Sequence, residues 1–172
     1  MIPNTVVSKV GVAGTVCFYT LTGTDLIADV NGYVPANGSP QPLSPARLLE
    51  TRKGSNDVTI DGAFPGAGRA AAGSTTQLTV TGRGGVPAKA STVVLNVGAV
   101  LPSGPGFLTV YPCNEKLPVA SNVDDLGGDV ISNAVVAKVG TDGKVCIDTL
   151  TETDIIADVF ATDSAPVPFR TS

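Results

Sequence analysis

Carboxylates carry most of the chemistry open to this chain, because its 172 residues include no histidine. That absence removes the commonest general base, most catalytic zinc sites and the usual Ser-His and Cys-His pairs. What remains is Asp25 with Asp29, Asp154 with Asp158, and the stretch "NVDDLGGD", which holds Asp124, Asp125 and Asp129. On a strand, a spacing of four puts both members of a pair on one face about 13 Å apart. Such a gap is too long for one metal ion and wide even for an inverting glycosidase. The pairs are therefore expected to bond lysines or to cap turns, and no enzymatic activity is expected. The 124–129 cluster suits calcium better, since oxygen ligands on a Gly-containing loop can wrap that ion. Its spacing departs from the EF-hand loop, and a solvated acidic turn is the competing reading.

Two further groups could bind something. Arg47, Glu50 and Arg52 in "ARLLETR" either form an ion-pair cluster fixing the first segment of the domain or present planar forks to a carboxylate or sugar. Among the few aromatic residues, Tyr19, Tyr33, Phe107 and Tyr111 are the candidates for a sugar-binding face. Phe107 and Tyr111 share one predicted strand with even spacing and so one side of it, where core packing competes with ligand binding.

The elements that would position these groups are strands. Twenty Gly and thirteen Pro, with abundant Val and Thr, favour strands and turns. "ARLLETR", "DVTIDG", "TQLTVTG", "STVVLNVGAV" and "GFLTVYP" read as strands, with "ARLLE" the one stretch that could make a helical turn. The strongest feature is a duplication. Shifting the chain by 129 positions lays "NTVVSKVGVAGTVCFYTLTGTDLIADV" from Asn4 on "NAVVAKVGTDGKVCIDTLTETDIIADV" from Asn133, with 18 of 27 positions identical and no gap. Each copy reads as a three-stranded meander, its first joint in the second copy being a tight turn at Asp142-Gly143. The expected architecture is all-β, a β-sandwich of about 8–11 short, mainly antiparallel strands. Residues 1–34 would be the end of a preceding repeat, packed on the main unit, with strand-swapped oligomers as the competing arrangement. Residues 35–45 would be a Pro-rich linker, 46–163 a complete unit and 164–172 a tail.

Composition excludes several functions. With a net charge of −4 and eleven scattered Lys and Arg, the chain offers nothing for a phosphate backbone to hold, so nucleic acid is not an expected partner. No apolar run approaches the length of a membrane span.

The motifs "SPARLLETR", "GVPAKASTVVLNVGAV", "GFLTVYPC", "SNAVVAKVGTDGKVCI" and "TDIIADVF" resemble the PARLLDTR-type β-rich tandem repeat of large secreted bacterial surface proteins. The first copy ends on pattern with "ADVNGYV", whereas the second departs from it with "ADVFATD". The resemblance implies a non-catalytic extracellular module whose partners are neighbouring repeats or domains, structural or adhesive in role. The alternative is an accessory module that binds carbohydrate or cell wall. In such an exported unit Cys113 and Cys146 are expected to be bridged, two separate buried thiols being the other possibility. Cys17 matches Cys146 in the first copy and would be the odd thiol.

Overall fold

The computed structural model describes residues 5, 10–30, 33, 40–54 and 58–163. Its strands are β1 (Pro40–Glu50), β2 (Ser74–Thr79), β3 (Thr92–Val100), β4 (Gly106–Pro112), β5 (Val123–Asp125), β6 (Val130–Lys138), β7 (Lys144–Thr149) and β8 (Asp154–Asp163). They make two four-stranded sheets, ordered β1-β8-β3-β6 and β2-β7-β4-β5. All the strand pairings within them are antiparallel. The all-β sandwich expected from the sequence is the observed architecture.

Alternation along the strands builds the core. Val93, Leu95, Val97 and Ala99 of β3 and Ile155, Ala157 and Val159 of β8 turn inward from the first sheet. Leu78 of β2, Leu108 and Val110 of β4, and Val145 and Ile147 of β7 meet them from the second. Period-two side chains on both sheets thus supply one apolar layer. The outward positions of β8 carry Asp154 and Asp158.

The second copy, 133–159, folds differently from the meander read in the sequence. Among the described strands β6 pairs with β3, β7 with β2 and β4, and β8 with β1 and β3. None of the three pairs with another, because the short polar joints carry the chain across from one sheet to the other. Gly143 at the first joint has φ +77°, and its N–H donates to the Gly140 carbonyl at 3.0 Å. The turn chemistry was legible; whether it closed a hairpin or an arch was not.

The first copy shows a second difference. Residues 10–30 carry a 3-10 turn at Val12–Gly14 and no strand, and all of them are exposed. Thr5 touches the sandwich, donating from its N–H to Asn133 Oδ1 at 3.1 Å and from its hydroxyl to the Ala134 carbonyl. The second copy's strands draw their partners from β1–β4 and not from one another, which accounts for the absence of a meander in residues 10–30.

Other boundaries shift as well. Pro40, Gln41 and Pro42 of the expected linker pair with Asp163, Thr162 and Ala161, so among the described residues the sandwich includes 40–45 as part of β1. Proline is tolerated there because β1 is an edge strand. "ARLLE" is the extended end of β1 and no helical turn. The described part of "DVTIDG" is a loop with Val58 and Ile60 exposed, held to β1 by one hydrogen bond from the Ile60 N–H to the Arg47 carbonyl at 2.8 Å rather than by a strand ladder. Residues 164–172 lie outside those described.

Cys113 and Cys146 form a disulfide, with Cα atoms 5.0 Å apart and 33 positions between them in sequence. It ties the end of β4 to its neighbour β7. Closing a loop of that size contributes about 4 kcal/mol in the chain-entropy picture. Cys17 is a free, exposed thiol.

Candidate functional site

The densest charge cluster sits where β1 meets β8. Register places Arg47 opposite Asp158, and the guanidinium grips that carboxylate with Nε–Oδ1 at 2.7 Å and Nη2–Oδ2 at 3.2 Å. Glu50, only 1% exposed, takes Arg47 Nη1 at 2.9 Å on Oε2. Arg52 donates Nη2 to the same oxygen at 2.7 Å, and Nε and its backbone N–H to Oε1 at 2.8 and 3.1 Å. Burial opposes ionisation of Glu50, but the hydrogen bonds and charge of Arg52, with help from Arg47, hold its pKa below the ordinary value. The hydrogen bond to Asp158 raises the pKa of Arg47 against the cost of burial. Both guanidinium forks are thus turned toward carboxylates of the same chain. The ion-pair reading of "ARLLETR" is the arrangement seen.

Asp154, four residues before Asp158 on β8, accepts from the Thr51 hydroxyl at 2.9 Å and from Arg69 Nη1 at 3.4 Å. Arg69 also binds Glu152 Oε1 at 2.8 Å and the Leu101 carbonyl at 2.7 Å. The strand pair therefore bonds arginines and a threonine rather than lysines. Asp25 and Asp29 of the first copy lie exposed in the strandless segment.

The acidic stretch does not converge. β5 turns Asp125 inward and Asp124 outward, and Asp129 is exposed. Among the described residues no group of three Asp, Glu or Cys side chains could hold a metal ion. Asp125 is 3% exposed, and among the described residues neither carboxylate oxygen has a hydrogen-bond partner. Burial pushes its pKa up, the nearby Gly106 and Gly127 amides pull it partly back, and the charge of Asp124 adds to the rise.

Phe107 and Tyr111 are half-buried on β4. They belong to the opposite sheet from Arg47 of β1, so the arginine candidates and the aromatic candidates lie apart. Two shallow clefts occur among the described residues, the second beside the acidic stretch. One of about 400 Å³ is lined by Leu43, Pro45, Ala46, Ile60 and the Gly84-Gly85 pair. The other, of about 390 Å³, is lined by Ile27, Pro105, Ser121, Asp124, Asp125 and Leu126.

Sequence reasoning missed Arg83. Its side chain, 9% exposed, binds Asp61 through Nε and Nη2 at 2.6 and 2.8 Å. It also donates to the carbonyls of Thr79 and Leu48 at 2.8 and 2.9 Å and lies 5.0 Å from the centre of the Phe64 ring. The hydrogen bond from Arg83 holds Asp61 far below the usual carboxylate range. A signal was present in "GRGGVP": Gly84 packs so closely on Ala46, Leu48 and Val159 that a Cβ would sit 3.0–3.1 Å from their side chains.

Geometry defines the class, an antiparallel β-sandwich with a disulfide between two neighbouring strands of one sheet and an ion-pair cluster of Arg47, Glu50, Arg52 and Asp158 on the other. Compared with known proteins, the chain matches no protein family, no curated protein and no solved structure.

Proposed function

We propose that the chain is a non-catalytic structural or adhesive module of a large bacterial cell-surface protein, working outside the cell beside neighbouring repeats or domains of its parent chain. The observation carrying this reading is the engagement of the charged groups. Arg47, Glu50, Arg52, Asp154 and Asp158, the residues best placed by type to meet a substrate, bond one another or the sandwich instead. Such a network holds a fold rather than turning over a ligand. The disulfide adds support, because bridges persist in oxidising compartments. Among the described residues no helix is long and apolar enough to cross a membrane.

A glycan array and a sedimentation assay with purified cell wall test the reading on the full chain. No specific, saturable binding is expected. Saturable binding that falls at least tenfold in Tyr111→Ala or Arg52→Ala would establish the carbohydrate-binding accessory module in its place.

A further inference from the structure

The seat that β6, β7 and β8 occupy has a second fitted occupant in the same chain. β6–β8 hold together through the frame of β1–β5, and the residues they need for that frame recur in the exposed first copy. Across the described stretch 10–30, nine counterparts are buried in the sandwich: Val139, Val145, Cys146, Ile147, Thr149, Thr153, Ile155, Ala157 and Val159. Seven of the nine are identical in the first copy, and the other two, Phe18 for Ile147 and Leu26 for Ile155, stay apolar.

Residues that press on the frame or bond to it recur as well. A Cβ on Gly140 would lie 2.6 Å from the Cys113 carbonyl, and one on Gly143 would lie 2.1 Å from Thr81 Oγ1. The first copy keeps glycine at both places, as Gly11 and Gly14. Asp158 pairs with Arg47 and Asp154 with Thr51 and Arg69; the first copy keeps Asp29 and Asp25. The Thr153 hydroxyl donates to the Val100 carbonyl, and the first copy keeps Thr24. Cys146 bonds Cys113, and the first copy keeps Cys17. In the exposed copy Gly14 keeps a positive φ of +75° and the Thr24 hydroxyl donates to the Asp25 carbonyl at 3.3 Å, whereas Cys17, Asp25 and Asp29 lie exposed.

Connectivity allows the exchange within one chain. β8 lies antiparallel to β1 in the same sheet, with Asp163 opposite Pro40. Position 34 is the first-copy counterpart of Asp163, leaving the five residues 35–39 to reach Pro40. Five residues is an ordinary hairpin length. We propose that the first copy is an alternative occupant of the β6–β8 seat, entering its own sandwich in cis through a hairpin into β1 and placing Cys17 against Cys113. The unit can then be closed from either side, and each seating leaves the other copy exposed.

Cys146→Ser in the full chain, refolded with oxidised and reduced glutathione, traps the exchange. The Cys17 and Cys113 thiols would give up two electrons and two protons to one oxidised glutathione, yielding their disulfide and two reduced glutathiones. The expected product is a monomer with a Cys17–Cys113 link by non-reducing peptide mapping. Adding Gly11→Val, which forces a side chain against the Cys113 carbonyl only in the exchanged seating, should lower the link at least tenfold. Free Cys17 and Cys113, a link formed only between chains, or a link indifferent to Gly11→Val would each overturn the proposal. A native-like circular dichroism spectrum of Cys146→Ser/Cys17→Ser serves as the folding control. If that control is unfolded, the Cys146→Ser chain must recover the native spectrum as the link forms, and failure to do so counts equally against cis exchange.

Discussion

Residues 10–30 and 139–159 are two versions of one sequence in opposite circumstances. Val16 is 45% exposed where Val145 is fully buried, and Val30 is 90% exposed where Val159 is fully buried. Since both valines are unchanged between the copies, intrinsic strand preference cannot account for the difference. Partners do. In the second copy each strand finds its hydrogen-bonding neighbours in β1–β4, whereas the first copy has no comparable vacancy within the described sandwich. Strand preference measures how well a residue fits a pleated, half-buried surface, so it goes unexpressed when the surface is already taken.

Disulfide removal is the largest test of that contrast. In a Cys17→Ser background, so that no other thiol can substitute, Cys146→Ser should cost about 4 kcal/mol in urea unfolding. Cys17→Ser alone should leave the midpoint unchanged. A substantial loss from the single Cys17→Ser change would show that the first copy already contributes to the folded state. Core truncation comes next. Ile155→Ala removes a fully buried side chain from β8 and should cost about 3 kcal/mol. Leu26→Ala, its counterpart at 59% exposure, should stay within about 0.5 kcal/mol of the parent. Equal effects at the two positions would break the comparison.

How far these features were legible depended on whether the signal was local. The strand-forming runs "STVVLNVGAV" and "DIIADVF" are local signals, and they mark β3 and β8. The cysteine pairing rested on a resemblance and on both residues lying in one unit, and the disulfide is present. Sheet membership is not local: "GTDG" and "TET" look the same whether they fold a hairpin or cross between sheets, so the meander reading went astray. β5, three residues long with aspartates at two of its positions, carries no apolar pattern to find. Likewise Asp61 and Arg83 stand 22 positions apart, and only the folded chain brings them together.

The charge network gives a pH-dependent version of the contrast. Glu50 has a folded-state pKa below its ordinary 4.5, so its contribution is complete above that value and fades as pH falls through the lower folded value. Glu50→Gln should cost about 2 kcal/mol at pH 7, leaving two guanidiniums facing a neutral acceptor. The gap between parent and variant should close as pH drops below 4.5, the ordinary value. A gap that persists or widens in acid would assign the loss to packing instead of charge.

The smallest expected effect discriminates most finely between the copies. Arg47 grips Asp158 through two hydrogen bonds, but both side chains are about a quarter exposed, at 23% and 24%, so solvent screens the pair. Asp158→Asn should cost about 1 kcal/mol, and Asp29→Asn, its exposed counterpart, should cost nothing measurable. Single substitutions of this size are easily confounded by changes in the unfolded chain, so the decisive quantity is coupling. In a double-mutant cycle with Arg47→Met, Asp158 should couple by about 0.5–1 kcal/mol and Asp29 by none. The two aspartates compete for one guanidinium only if their strands compete for one place beside β1. Coupling of Arg47 to Asp29 that emerges when Ile155→Ala weakens the resident strand would therefore report the first copy entering the seat, and its size would measure how often.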